Sequence, residues 1–163
     1  MRPALVAALA VSLAAAAGVA GCTPPQGAVA AQQVAQELNV DARFGRTEIA
    51  MDHVAPAARE AFAAHHRAWG GSIRVADVEM AGVHAHGEHD VDILVQVAWY
   101  RPAEQELRTT TLQQKWKDAS GWQLVDEKRL DGDVGLLGEA VVFEAPEEQH
   151  APAYFPTVRL GSP

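Results

Sequence analysis

An alternation of apolar and polar residues at positions 90–101, DVDILVQVAWYR, constrains the fold more than any other stretch of the chain. Every odd position from Val91 to Trp99 is apolar, whereas the even positions include two aspartates and a glutamine. This period of two is what a β-strand needs to bury one face and expose the other. Pro102 follows the run, where a donor to a strand ladder is no longer required. We therefore predict the central strand of an antiparallel sheet here.

Three further strands are predicted around this one, at residues 73–83, 106–117 and 122–130. They are rich in β-branched and aromatic residues, and polar turns separate them from their neighbours. The apolar phase breaks near residues 76–77 and again after Leu107, and a break in phase predicts a β-bulge. The pattern as a whole predicts a sheet of four antiparallel strands.

Three helices are predicted before the sheet, at residues 29–38, 47–54 and 55–69. The third has the strongest pattern, because Pro56 suits a first helical turn and Gly70-Gly71 a left-handed end. Its apolar stripe recurs at steps of three and four residues, at Ala58, Ala61, Phe62, His65 and Trp69. We expect this third helix to lie across the sheet. The fold class is then α+β, with N-terminal helices packed on a curved sheet.

The order of these elements, together with the hairpin Lys115-Trp116-Lys117…Gly121-Trp122, resembles the nuclear-transport-factor-two-like superfold. The resemblance covers residues 29–130 and implies a cone, formed by a curved sheet wrapped on helices. The smaller cystatin-like fold, with one helix on a sheet, is the near alternative. The superfold includes isomerases, cyclases, dehydratases and non-catalytic binding modules, so the fold alone does not decide the activity.

The first 21 residues have the composition of an export signal. Met1-Arg2 is a short basic start, residues 3–20 are almost entirely Ala, Val and Leu, and small residues follow. The next residue, Cys22, is the only cysteine in the chain, so a disulfide framework within the chain is excluded.

Val19-Ala20-Gly21-Cys22 resembles the lipobox of bacterial lipoproteins. The resemblance implies cleavage before Cys22, a diacylglycerol on its thiol and a fatty acid such as palmitate on its new amine. Several acyl chains at one residue anchor a protein stably to a membrane. The residue after the cysteine is Thr23 and not an aspartate. This is similar to a pattern that sorts lipoproteins to the outer membrane, and it implies that the domain faces the periplasm.

We predict a signal peptide at residues 1–21, a tether at 22–31, one α+β domain at 32–143 and an irregular or disordered tail at 144–163. Leu136 and Leu137, with residues 141–143, are expected either to pack back on the domain or to pair briefly as an edge. The chain carries 13 Lys and Arg against 21 Asp and Glu, for a formal charge of −8. Such an acidic chain repels phosphate backbones, so nucleic acid is excluded as a partner.

Two histidine groups are candidate sites. His84, His86 and His89 lie within seven residues, and their imidazoles are suited to zinc or copper; a solvated hairpin turn is the favoured alternative. Asp52 and His53, with His65 and His66, form a second group, in which one histidine could act as a base in a cone pocket with a carboxylate to orient it. For His65 we favour a buried histidine whose ring bonds to a backbone carbonyl, because it lies on the apolar stripe.

These observations favour a lipid-anchored envelope protein whose α+β domain is a non-catalytic binding or scaffold module. Its expected partners are the membrane, through the anchor, and either another envelope protein or a small apolar ligand in the cone. The alternative is a small enzyme of the isomerase or hydrolase type that uses a His/Asp pair. A weaker alternative is metal binding by the turn at residues 84–90.

Overall fold

A computed structural model of the protein describes residues 26–104 and 106–140, and it confirms the α+β class. Helices pack against one four-stranded antiparallel sheet, which is open and curved and does not close into a barrel. The helical layer comprises α1 (Gln26–Arg43), α2 (Thr47–Ala50), the 3₁₀ helices Met51–His53 and Pro56–Ala58, and α3 (Arg59–His65). The strands are β1 (Arg74–Ala85), β2 (Asp90–Tyr100), β3 (Leu107–Asp118) and β4 (Trp122–Gly132), in the spatial order β1-β2-β3-β4.

Strand β2 has the predicted alternation and a central place in the sheet. Its odd positions from Val91 to Trp99 are fully buried against the helices, and the even positions lie on the opposite face. It pairs with β3 in one unbroken register, from Asp90 opposite Lys117 to Tyr100 opposite Leu107. A strand that is paired on both edges and buried on one face has its register determined by its own apolar pattern.

The predicted bulge near residues 76–77 is confirmed, since the register of β1 against β2 shifts between Val75 and Asp77. The bulge predicted in the third strand is wrong. Leu107 is out of phase with the buried positions of β3 because it is exposed, with 66 % of its surface accessible. The shifts at this edge of the sheet fall on β4, where Val125 and Leu130 are the extra residues in the β3–β4 ladder.

The helix that crosses the sheet is α1, which contacts β1, β2 and β4, and not the predicted helix at 55–69. That segment is divided between a 3₁₀ turn and the seven-residue α3. Short alanine side chains let α1 lie close to the sheet, and its buried residues recur at three- and four-residue steps. They are Ala28, Ala31, Ala35, Leu38, Asn39 and Ala42.

Helix α1 begins at Gln26, within the stretch that the sequence predicts as a tether. Its alanine-rich first turns have high helix propensity, which extends the helix toward the N-terminus. Within residues 26–104 and 106–140, no helix combines the length and the apolar character needed to cross a bilayer.

Leu136 and Leu137 pack back into the core, which is one of the two arrangements expected for them, and both are buried. The indole Nε1 of Trp69 donates a hydrogen bond to the carbonyl oxygen of Leu136 at 3.0 Å, which fixes this segment against the helical layer. The predictions for residues 1–21, for Cys22 and for residues 144–163 lie outside the described residues.

Candidate functional site

Two of the three histidines around the β1–β2 turn lie near different carboxylates, and the third is exposed. His86 Nε2 lies 3.2 Å from a carboxylate oxygen of Asp92, and His89 Nδ1 lies 3.6 Å from one of Asp118. His84 is exposed on β1. Among the described residues, no group of three or more His, Cys, Asp or Glu side chains is arranged to hold a metal ion. Zinc or copper binding at this turn stays a prediction for which the geometry adds no support.

Asp52 and His53 lie on the 3₁₀ helix Met51–His53. The acidic neighbour of His53 is Glu37 of α1, with 3.8 Å between Nε2 and the nearer carboxylate oxygen. Asp52 is exposed. The structure therefore gives His53 a different carboxylate from the one that the sequence suggested.

The buried histidine is His66, so the expectation that His65 fills this place is wrong by one residue. His66 is 1 % exposed, and its Nδ1 lies 2.9 Å from the carbonyl oxygen of Phe62. Its ring stacks on Phe62 and lies against Trp69, with centroids 3.9 and 4.3 Å away. Helix α3 ends at His65, and the turns that follow it direct the next side chain inward. The predicted chemistry, a buried ring bonded to a backbone carbonyl, is therefore found at His66 and not at His65.

His66 belongs to a buried polar cluster, which we call the Glu127 cluster, formed by Asn39, His66, Gln114 and Glu127. Gln114 Nε2 donates to Glu127 Oε2 at 2.8 Å and to Asn39 Oδ1 at 2.9 Å. Asn39 Nδ2 in turn donates to the carbonyl oxygen of Ala35 at 2.8 Å. The cluster thus connects helix α1, strands β3 and β4, and the turn after α3 through side chains far apart in the sequence.

The contact between His66 and Glu127 is not a good hydrogen bond. A carbonyl oxygen can only accept, so His66 Nδ1 donates to Phe62, and the neutral ring turns the lone pair of Nε2 toward Glu127. Nε2 and Glu127 Oε1 are 3.4 Å apart, and Oε1 accepts no hydrogen bond from any residue that the structure describes. Burial lowers the pKa of His66 below 6.5, although the charge of Glu127 and the bond to Phe62 raise it. The neutral ring is therefore the favoured form near pH 7.

A crevice of about 220 Å³ opens beside Glu127, between β4 and the segment that runs from the 3₁₀ helix Pro56–Ala58 into α3. Most of its lining is apolar, and the polar part comes from His65, Asp126 and Glu127. The apolar lining residues are Ala57, Ala58, Ala61, Phe62, Leu124 and Val125. Of the histidines and aspartates named from the sequence, this crevice brings in only His65, whose Nδ1 is buried without a hydrogen-bond partner among the described residues.

A second crevice of similar size, about 220 Å³, lies on the outer face of the sheet. It is open and shallow, and Asp77, Glu79, Gln96, Ala98 and Thr109 line it. Side chains of adjacent strands on a solvated face form such a groove without any special arrangement of functional groups.

Sequence reasoning missed Asn39, Gln114 and Glu127. One signal was present: Gln114 shares the parity of Leu112 and Trp116 and is therefore a polar residue on the buried face of β3. A buried amide requires partners, so this position predicts a polar group opposite it on a neighbouring element. The identity of that group needed the register of β4, which the bulge at Val125 shifts by one residue.

Searches of known protein families, of curated proteins and of solved structures find no match to this chain.

Proposed function

We propose that this protein is a lipid-anchored envelope protein whose α+β domain is a non-catalytic binding or scaffold module facing the periplasm. The observation that carries the proposal is the filled interior of the curved sheet. Trp99 and Trp116 occupy it with no exposed surface, together with Ile93 and Leu112. A cone-shaped enzyme needs a cavity at this place to hold its substrate. A domain with a packed interior acts through its surface.

The start of α1 determines which end of the anchored domain would face the membrane. Gln26 is four residues after Cys22, so the two Cα atoms are separated by at most roughly 14 Å. A Cβ placed on Gly27 would lie 2.6 Å from the carbonyl oxygen of Glu88 and 3.4 Å from the Trp122 ring. This end of the domain, with the β1–β2 turn and the start of β4, is then the end closest to the bilayer.

The other end of α1 carries the surface that we assign to a protein partner. An 18-residue helix is about 27 Å long, which places its C-terminal end well away from the anchor. Phe44 and Ile49 at this corner are 64 % and 51 % exposed, and Val40 is partly exposed on the preceding turn. The guanidinium carbons of Arg43 and Arg46 lie 5.6 and 5.5 Å from the centre of the Phe44 ring. An exposed aromatic ring between two arginines suits a partner with apolar and acidic groups.

Fatty-acid labelling of cells tests the anchor. We expect the wild-type protein to incorporate labelled palmitate and to fractionate with membranes, and Cys22→Ser to lose both properties. Thr23→Ala is the matched control, because it changes the next residue and leaves the thiol. Label retained by Cys22→Ser, or a protein found in the cytosol with its leader intact, would contradict the proposal.

Site-specific photo-crosslinking tests the partner surface. A crosslinking residue in place of Phe44 is expected to give a discrete adduct in intact envelopes, and the additional change Ile49→Ser should weaken that adduct several-fold. Leu130 is the matched control position, since it is 53 % exposed and lies on β4, at the sheet edge opposite β1, to which Arg43 bonds through Asp77. Equal adducts from both positions would show that position 44 is not a specific contact.

A carboxylate base at Glu127 is a second candidate function, favoured by the position of Glu127 at the wall of the crevice. His66, its imidazole neighbour, is enclosed between Phe62 and Trp69 and does not line that crevice. Hydrolysis of a chromogenic ester by the wild type, lost in both Glu127→Gln and His66→Gln, would favour this candidate over the binding module.

A further inference from the structure

The exposed corner around Phe44 continues toward the first strand of the sheet. Gly45 follows Phe44 and packs on Gly70, since a Cβ placed on Gly45 would lie 3.0 Å from the Gly70 Cα atom. The carbonyl oxygen of Gly70 accepts a hydrogen bond from the guanidinium of Arg74, the first residue of β1. A single glycine contact therefore separates Arg74 from the corner.

A second contact connects the corner to the outer face of the sheet. Arg43 lies beside the Phe44 ring, and its Nη1 is 3.2 Å from a carboxylate oxygen of Asp77 on β1. Asp77 is opposite Ala98 in the register, so it lies on the same face as the even positions of β2. The tip of α1 thus reaches over the β1 edge of the sheet at the bulge near residue 76.

Exposed apolar side chains begin again on that outer face. Arg74 is opposite Tyr100 on β2, and Tyr100 is opposite Leu107 on β3. Residues that are opposite each other in adjacent strands share a face, and the strands are about 4.8 Å apart, so the three form a row about 10 Å long. Tyr100 is 37 % exposed, and Leu107 is 66 % exposed. Arg74 lies between this apolar pair and the corner at Phe44.

Arg74 carries a charge that no carboxylate within residues 26–104 and 106–140 pairs. Arg43, the other arginine on this path, is already paired with Asp77. Arg74 donates to a backbone carbonyl instead, and it is exposed. A guanidinium carries five N–H groups, so donors remain after one such bond. Arginine and tyrosine are among the residues that contribute most to the binding energy of protein interfaces.

We propose that the partner surface extends from Phe44 across Arg74 to the pair Tyr100 and Leu107, and that it binds a protein with a carboxylate between two apolar groups. The carboxylate accepts hydrogen bonds from the guanidinium of Arg74. One apolar group packs on Phe44, and the other packs on Tyr100 and Leu107. Bonds between a guanidinium and a carboxylate are charge-assisted and are stronger than those between neutral groups. The partner is the one proposed above for the Phe44 corner, so the extended surface rests on that proposed function.

Photo-crosslinking at position 107 of the full-length protein tests the extended surface in intact envelopes. We expect adducts from positions 44 and 107 to contain the same protein, and peptide mapping to find an Asp or Glu beside apolar residues in the crosslinked segments. Leu130, on the opposite edge strand β4, is the matched control and should give at least fivefold less adduct. Different proteins at the two positions, a mapped segment without an acidic residue, or adducts with lipid or with a second copy of this chain would overturn the proposal.

Substitutions at Arg74 test the charge. Arg74→Glu is expected to lower the adducts from positions 44 and 107 at least tenfold, whereas Arg74→Lys keeps the cation and should stay within threefold of the wild type. Lys128→Glu reverses an exposed cation on β4 and is the matched control, with a change of less than twofold. Unchanged adducts from an Arg74→Glu protein that is folded by urea denaturation would overturn the proposal.

If Arg74→Glu fails to fold, Tyr100→Ser decides the question. Tyr100 lies on the far side of Arg74 from the corner, and its loss should still weaken the adduct from position 44 several-fold. An undiminished adduct would overturn the extended surface. An adduct from position 44 without one from position 107 would also overturn it and leave the proposed function standing, whereas no adduct from position 44 would contradict the proposed function itself.

Discussion

Two buried polar assemblies lie on the same sheet, and they differ in whether every atom has a partner. In the first, which we call the Trp99 chain, Trp99 Nε1 donates to Thr110 Oγ1 at 2.9 Å, and that hydroxyl donates to the carbonyl oxygen of Asp133 at 2.7 Å. The Glu127 cluster contains more hydrogen bonds but leaves one carboxylate oxygen without a donor.

The two assemblies also differ in whether cations lie next to them. The guanidinium carbons of Arg101 and Arg108 both lie 5.3 Å from the centre of the Trp99 ring, so cations already border the neutral Trp99 chain. The Glu127 cluster holds a carboxylate beside an open crevice without a lining cation among the described residues. A complete set of bonds stabilises the fold, whereas a buried carboxylate oxygen without a donor costs stability.

The largest expected effect is the loss of Gln114, the centre of the Glu127 cluster. Gln114→Leu removes both donors from Glu127 Oε2 and Asn39 Oδ1 and leaves a buried carboxylate unpaired. We expect the free energy of unfolding to fall by about 3 kcal/mol, since unsatisfied buried groups, and charged ones above all, are costly. Urea denaturation measures the change. If Gln114→Leu lowered the free energy of unfolding by less than Thr110→Val does, the two assemblies would not differ in the way proposed.

Thr110 is the corresponding position in the Trp99 chain. Thr110→Val keeps the shape of the side chain but leaves the Trp99 N–H and the Asp133 carbonyl without this partner. These groups are neutral, so we expect a loss of about 1–2 kcal/mol in the same denaturation experiment.

Acid should destabilise the protein through the Glu127 cluster. The pKa of His66 is lowered in the folded state, chiefly by burial, so below pH 6.5 the unfolded chain binds a proton that the folded protein resists. Stability conferred by the neutral ring is present above pH 6.5 and is lost as the pH falls, by up to about 1 kcal/mol between pH 6.5 and 5.5. Urea denaturation across this range should show the loss, and His66→Phe, which cannot titrate, should flatten it. An equal slope in His66→Phe would assign the effect elsewhere.

Glu139 does not interfere in that range. Desolvation raises the pKa of this carboxyl, but hydrogen bonds from its own backbone, from the N–H groups of Leu137 and Gly135 and from Arg129 together lower it below 4.5. Its contribution to stability is present above pH 4.5 and is lost only as the pH falls through its lower folded pKa.

The smallest expected effect is that of Asp133→Asn at the exposed end of the Trp99 chain. One oxygen of Asp133 accepts from the backbone N–H of Thr109 at 2.8 Å, and the amide oxygen of asparagine can replace it. The bond from Thr110 ends on the Asp133 backbone and is unaffected. We expect a change of about 0.5 kcal/mol or less. A loss as large as that of Thr110→Val would mean that the charge of Asp133 is part of the assembly.

The sequence by itself determined the elements that depend on neighbours along the chain. The alternation in β2, the four strands and the bulge near residue 76 follow from local periodicity and phase, because a pleated strand places every second side chain on one face. The resemblance of residues 19–22 to a lipobox is likewise a local pattern, and lipidation of Cys22 stays a prediction.

Tertiary structure decided which helix crosses the sheet, which histidine is buried, and where the acidic site lies. Asn39 and Gln114 are 75 positions apart, and their bond exists only because α1 lies over β3. Glu127 joins them because the bulge at Val125 shifts the face that β4 presents. No local pattern specifies these side-chain contacts. They depend on how closely the packed elements approach each other and on a shift of one residue in strand register.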